Sequence, residues 1–354
     1  MAKQSPSEQL DKVVSALLGR SDAPLARDGA SRPFNPSLGP VIEVIRGLQN
    51  LPRADFKARL KADLEKEGSQ VDGESSLGDR RASMATQAAK PVNYMREGFH
   101  SITPYLIIPA AAQLIDFMKT AFGAEERFRV GRPGAENVIM HAEVKIGDSM
   151  IELADANPQF PPTPATLLLR ASDPDAVYNG AIAAGATSIE PVADREYGAR
   201  GGSLRDVCGN TWDISIPLPG SKIFEDFRSV TPHFNPARSA DFIEFLEKAF
   251  GGEETYRAQS PEGRILHAQV RIGDSVISMG DAHGPYQTKP STLHLYVPDT
   301  DSAYQRALGA GATSIQPPAD QPYGERNAGV QDPFGNRWFL ATHLRDFQPP
   351  AEAS

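Results

Sequence analysis

The sequence predicts an α+β fold: two tandem domains, each built from a pair of βαβββ units, behind a short helical N-terminal region. Two observations carry this. The first is a duplication. ITPYLIIP, HAEVKIGDSMIELAD, AGATSIEP and EYGARGGSLRDVCGNTWDI in residues 102–217 recur as VTPHFNPA, HAQVRIGDSVISMGD, AGATSIQP and PYGERNAGVQDPFGNRWFL in residues 230–342. The offset is 126 residues from His141/His267 to Trp212/Trp338 and 128 before that, so one two-residue indel separates the copies. A period this long marks duplicated domains, because solenoid units run at about 20–50 residues. The second observation is the rhythm inside each copy, where strand, helix and three strands follow one another twice.

Taken in order, Ser5, Pro6 and Glu8 form a capping signature ahead of Leu10, Val13, Val14, Leu17 and Leu18 at helical spacing. A second stripe runs through Val41, Ile42, Val44, Ile45 and Leu48; Pro52 then precedes a third, Phe56, Leu60 and Leu64. Residues 1–67 are therefore expected to form a helical region. Residues 68–98 lack apolar periodicity and are rich in Ser, Gly, Asp, Arg and Ala, so a flexible linker is expected there. Domain one is expected over 99–218 and domain two over 226–345. The first copy should open with a strand at 102–108, then a helix carrying Leu114, Ile115, Phe117, Met118 and Phe122 and closed by Gly123. Strands at 127–130, 138–146 and 149–153 follow, the last two joined by a Gly-Asp turn. The order restarts with a strand at 165–170, a helix at 175–184 and three strands ending at 212–216. Two curved half-sheets side by side should leave a strand-lined cleft for a small ligand.

Composition narrows the function. Residues 1–98 hold 15 Lys/Arg against 13 Asp/Glu, and the remaining 256 hold 21 against 32. An acidic duplicated body makes nucleic acid an unsuitable partner, since phosphate binding needs a cationic face. No 18-residue apolar run and no basic-then-apolar leader is present, so no membrane partner and a cytoplasmic location are expected. Cys208 is the single cysteine, which excludes an intramolecular disulfide; its counterpart Phe334 marks it as a small packing residue. Trp212 and Trp338 are expected in the core, and His141 and His267, present in both copies, in structural hydrogen bonds.

The IGDS, AGATSI, YG and DPFGNRW segments, placed on paired βαβββ units, resemble the vicinal oxygen chelate superfamily of glyoxalase I, bleomycin-resistance proteins and extradiol dioxygenases. LHLYVPD and DPFGN resemble its PhnB-like branch. The resemblance covers both copies and not residues 1–98. It implies a divalent metal held by histidines opening each half and a carboxylate on each half's last strand. The opening positions here are Thr103, Thr166, Thr231 and Thr292, and the closing ones Glu152, Asp213, Ser278 and Phe339. Threonine is a poor ligand for such metals. No cofactor is therefore expected, with a divalent metal as the alternative on His233, His294, Glu152 or Asp213.

Copy two places His233 and His294 two residues beyond its opening threonines, and the resemblance implies that both imidazoles face one cleft. Copy one has Tyr105 and Leu168 there. The expected ligand-binding set is His233, His294, Tyr323 and Arg326 from copy two, with Tyr105, Glu152, Asp213, Tyr197 and Arg200 from copy one. Arg200 and Arg326 lie on loops suited to placing a guanidinium on a ligand anion. The leading expectation is a small-molecule binding protein. Its alternatives are a metal-dependent lyase, isomerase or dioxygenase, and a scaffold acting through the N-terminal helices. A fused pseudo-dimer should behave as a monomer, with a homodimer as the alternative.

Overall fold

The computed structural model describes residues 94–346 apart from Lys222, so the expected N-terminal helices lie outside the described residues. In copy one, β1 (Ile102–Ile108), α1 (Ala111–Phe122), β2 (Glu125–Arg132), β3 (Ala135–Ile146) and β4 (Ser149–Asp155) form the first unit. Its second unit is β5 (Thr166–Arg170), α2 (Pro174–Ala183), β6 (Thr187–Arg195), β7 (Ala199–Arg205) and β8 (Thr211–Pro217). Copy two repeats the pattern with β9 (Val230–Phe234), α3 (Ser239–Phe250), β10 (Glu253–Gln259), β11 (Ile265–Ile272) and β12 (Ser275–Met279). It ends with β13 (Thr292–Tyr296), α4 (Thr300–Gly309), β14 (Thr313–Asp320), β15 (Glu325–Gln331) and β16 (Arg337–His343).

Local chemistry sets the helix ends. Asp155 Oδ1 accepts from the Ala111 amide at 2.8 Å and Asp281 Oδ1 from the Ser239 amide at 2.7 Å. A carboxylate leaving one strand thus satisfies an amide left free at a helix start. Asp173 and Asp299 do the same for α2 and α4 from within their own caps. The buried faces Leu114, Ile115, Phe117, Met118 and Phe242, Ile243, Phe245, Leu246 then turn α1 and α3 onto the sheets. Trp212 and Trp338 are fully buried, as expected, and their indole N–H groups donate to Asp206 and Asp332 in the preceding turns. Cys208 is half-buried against copy one's core, and burial pushes its thiol up to about 11, away from nucleophilic use.

Each copy has its own core, yet its two half-sheets do not join each other. One eight-stranded sheet runs β14-β15-β16-β13-β1-β4-β3-β2 and the other β10-β11-β12-β9-β5-β8-β7-β6. The seams are antiparallel: β1 with β13, matching Thr103 with His294, and β5 with β9, matching Thr166 with His233. Each sheet therefore combines one unit from each copy. This corrects the expectation that His233 and His294 share one cleft, for they sit on different sheets. The reason is that β1 and β5 each carry an unpaired edge, and each finds its partner on the other copy.

The IGDS turns lock this exchange. The Ser229 amide donates to Asp148 Oδ1 (2.8 Å), the Asp148 amide to Ser229 Oγ (3.1 Å) and the Val230 amide to Ser149 Oγ (3.0 Å). The mirror set joins Ser101, Asp274, Ile102 and Ser275 at 2.7, 3.1 and 3.1 Å. The same patch serves both copies, as in an isologous dimer. Residues 99–218 expressed alone are expected to dimerise through paired β1 and β5 edges. Sedimentation analysis showing a cooperatively folded monomer would contradict this pairing.

Candidate functional site

Alternate strand residues face the helices or the opposite side of the sheet. Leu106, Ile108, Ile151 and Leu153 belong to the helix-side core of copy one. Tyr105 and Glu152, in register with each other, occupy the other face, where β13 brings His294 and β16 brings Phe339, also in register. Glu143 on β3 is opposite Glu152. The first sheet thus gathers, from both copies, a site that neither copy forms alone.

His294 is its centre. Nδ1 lies 2.9 and 3.1 Å from the two Glu152 oxygens, and Nε2 lies 3.6 Å from Glu325 Oε2. All three side chains are at most 7% exposed. Burial alone would push the imidazole down, but the Glu152 and Glu325 charges override it and hold the group up at about 9. The Tyr296 hydroxyl donates to Glu325 Oε1 at 2.6 Å, and its ring stacks on His294 with centroids 4.6 Å apart. His294 Nε2 is buried without a hydrogen-bond partner.

Beside it, Glu143 receives the Arg96 guanidinium on both oxygens, at 2.6 and 3.2 Å. Glu143 Oε1 also lies 3.2 Å from His141 Nε2, and His141 Nδ1 lies 3.2 Å from the Tyr105 hydroxyl. Burial would raise the Glu143 carboxyl, but the His141 and Arg96 contacts hold it below the usual range. Donor atoms of His141, Glu143 and Glu152 all lie within 4.8 Å of one another, a grouping able to hold a cation. The segment before β1 lies against this face: Arg96 lies over the Phe99 ring at 4.6 Å, and Phe99 packs edge-on against Tyr296.

The second sheet carries a different set. His233 Nδ1 is 2.7 Å from Ser278 Oγ and Nε2 is 3.2 Å from Asn235 Nδ2. Burial, with His267 and His283 nearby, pulls His233 down to about 3, so it is neutral. Asp213, in register with Leu168, accepts from the Ser203 hydroxyl, and burial raises it to about 6. Phe224 and Phe227 from the segment before β9 pack here with Ile223, Val276 and Leu168.

The arginines go elsewhere. Arg200 pairs with Asp175 and Asp194, and Arg326 with Asp301 and Asp320, acids of the neighbouring helix starts and strands. Neither is left to meet a ligand anion. Tyr197 and Tyr323 stand on the surface, 57% and 45% exposed. Of the expected residues, the structure brings together Tyr105, Glu152 and His294; His233 and Asp213 lie on the other sheet. Sequence reasoning missed Arg96, Glu143, Tyr296 and Glu325. The available signal was the copy difference, since their counterparts are Phe224, Gln269, Arg170 and Ala199.

Comparison with known proteins agrees with this architecture. The family model described as Glyoxalase/Bleomycin resistance protein/Dioxygenase superfamily matches residues 98–214 and 235–340. An uncharacterized protein from Mycobacterium bovis is 36% identical over 129 residues, covering 33% of this chain and 85% of that protein. One from Mycobacterium tuberculosis matches at the same identity over 33% of this chain and 76% of its own length. Glyoxalase I from Zea mays superposes with a TM-score of 0.53 at 14% identity, over 68% of this chain and 92% of that one. At that identity the likeness concerns the fold alone.

Proposed function

The chain belongs to the Glyoxalase/Bleomycin resistance protein/Dioxygenase superfamily, and we propose that it binds a small molecule on the helix-free face of its first sheet. One observation carries this reading: His294 Nε2 is buried with no hydrogen-bond partner, Glu325 Oε2 standing 3.6 Å away and the Tyr296 ring stacked on the imidazole. A buried donor without a hydrogen bond costs about 1–3 kcal/mol; the Glu325 charge offsets part of this, and a ligand oxygen at that point would recover the rest. Tyr105 packs against Phe339, which also meets Phe160, so a flat conjugated molecule with an oxygen acceptor suits these walls. LHLYVPD and DPFGN favour the PhnB-like branch. A cytoplasmic, largely monomeric protein without nucleic-acid or membrane partners fits its acidic body; no helix among the described residues is long and apolar enough to cross a membrane.

The test is a thermal-shift screen of small oxygen-bearing aromatics, with hits confirmed by calorimetry. Binding is expected to weaken at least about tenfold in Glu152→Gln, the equivalent of one lost charge-assisted contact, and to persist in Asp213→Asn. Hits that survive Glu152→Gln and vanish in Asp213→Asn would move the function to the second sheet.

A second reading, a metal-dependent enzyme, is favoured by the His141, Glu143 and Glu152 donor set. One imidazole and two carboxylates fit a divalent ion, which when bound would polarise a substrate oxygen. In that reading Tyr105 orients His141 by its hydroxyl, and His294 holds the Glu152 carboxylate from behind.

A further inference from the structure

We propose that Arg96 is a built-in counter-cation that keeps a divalent-cation site closed, and that displacing the Tyr94–Phe99 segment opens His141, Glu143 and Glu152 to a metal. The inference rests on the donor geometry and stands whether or not an organic ligand binds the same face. Arg96 occupies both Glu143 oxygens, and one of them, Oε1, is the atom His141 also approaches. A metal held by His141 and Glu143 would need a Glu143 oxygen, and the guanidinium occupies both, so the two cations compete for this carboxylate. His294, more than nine-tenths buried, backs this cluster: Nδ1 is fixed to Glu152, and Nε2, without a hydrogen bond, faces Glu325 Oε2 at 3.6 Å.

The two copies provide an internal control. Where the first sheet has Arg96, Glu143, Glu152 and Glu325, the second has Phe224, Gln269, Ser278 and Ala199 at the matching positions. At these four positions the acids and the cation are absent together, although Asp213 stands elsewhere on the second sheet, and an apolar ring fills the Arg96 place against Leu168 and Val276. The lead-in segment of each copy therefore complements the face it covers. Arg96 matches the acids in the way a bound cation would.

The segment packs on the sheet through Phe99, which clusters with Met150, Tyr296 and Ala341. The His343 amide donates to the Tyr94 carbonyl at 2.9 Å, and the Phe99 amide to the Arg96 carbonyl at 3.1 Å. Arg96 itself keeps a third of its side chain exposed, whereas Glu143 is 5% exposed. Arg96 is thus the part of the segment that reaches from solvent to the buried Glu143 carboxylate.

The test uses the full chain without a histidine tag, titrated with Zn²⁺ and with Mn²⁺ by calorimetry. Arg96→Met, which keeps an unbranched side chain beside Phe99 without the charge, is expected to bind one equivalent about tenfold to a hundredfold more tightly than the wild type. Adding Glu143→Gln should abolish the gain. Arg96→Gln, a second variant with a neutral polar side chain, should fall between Met and Arg. Equal affinity in wild type and both Arg96 variants, no metal uptake by either, or a gain that survives Glu143→Gln would each overturn the proposal.

Discussion

Replacing His294 with Leu is expected to destabilise the protein by about 3–5 kcal/mol at neutral pH, because it strands two buried carboxylates without their shared cation. Glu152 and Glu325 both lie within 4 Å of the imidazole and are at most 3% exposed. Urea denaturation provides the measurement. The effect should carry a characteristic pH dependence. The folded His294 sits at about 9 against an ordinary 6.5, so the folded state binds the proton more tightly than the unfolded one. Its stabilisation, on the order of 3 kcal/mol, is complete below pH about 6.5 and is lost as pH rises through about 9. The gap between wild type and His294→Leu should therefore narrow across that window. A gap below 1 kcal/mol at pH 6.5, or one unchanged at pH 9.5, would contradict the ion cluster.

Gly147→Ala is expected to cost about 2–4 kcal/mol, and Gly273→Ala the same, at the turns that join the copies. Both glycines have left-handed backbone, with φ of 58° and 60°. An added Cβ at Gly147 would overlap Ser229 Oγ and lie 2.7 Å from its Cβ; at Gly273 it would overlap Ser101 Oγ and lie 2.8 Å from its Cβ. Left-handed strain alone accounts for about 1–2 kcal/mol, and the clash for the remainder. In a Ser229→Gly background the clash is absent, so Gly147→Ala should then cost only the backbone share. A full-sized loss in that background would show that the turn does not abut Ser229.

Much of the fold was legible because its evidence is local. Alternating apolar residues, the Gly123 cap and the duplicated DVCGN and DPFGN turns each specify structure within a few residues, and strands and helices appear where these signals lie. Strand exchange was not legible, since period-two alternation says which face a residue takes and nothing about which edge its strand meets. That gap left the joint placing of His233 and His294 to the resemblance alone, and the strand pairing separates them. Arg200 and Arg326 were read as ligand groups because their partners, Asp175 and Asp301, lie 25 residues earlier. Glu143 and Glu325 escaped notice because a glutamate on an alternating strand ordinarily faces water; burial beside His141 and His294 comes only from the tertiary pairing.

The composite site makes one claim above all: a carboxylate from the first copy lies against an imidazole from the second. NMR titration of the His294 resonance tests it directly, in wild type and in Glu152→Gln. The expected result is a midpoint near 9 in the wild type, falling by at least about one unit when the Glu152 charge is removed. A wild-type midpoint near 6.5, unmoved by Glu152→Gln, would contradict the juxtaposition and with it the site.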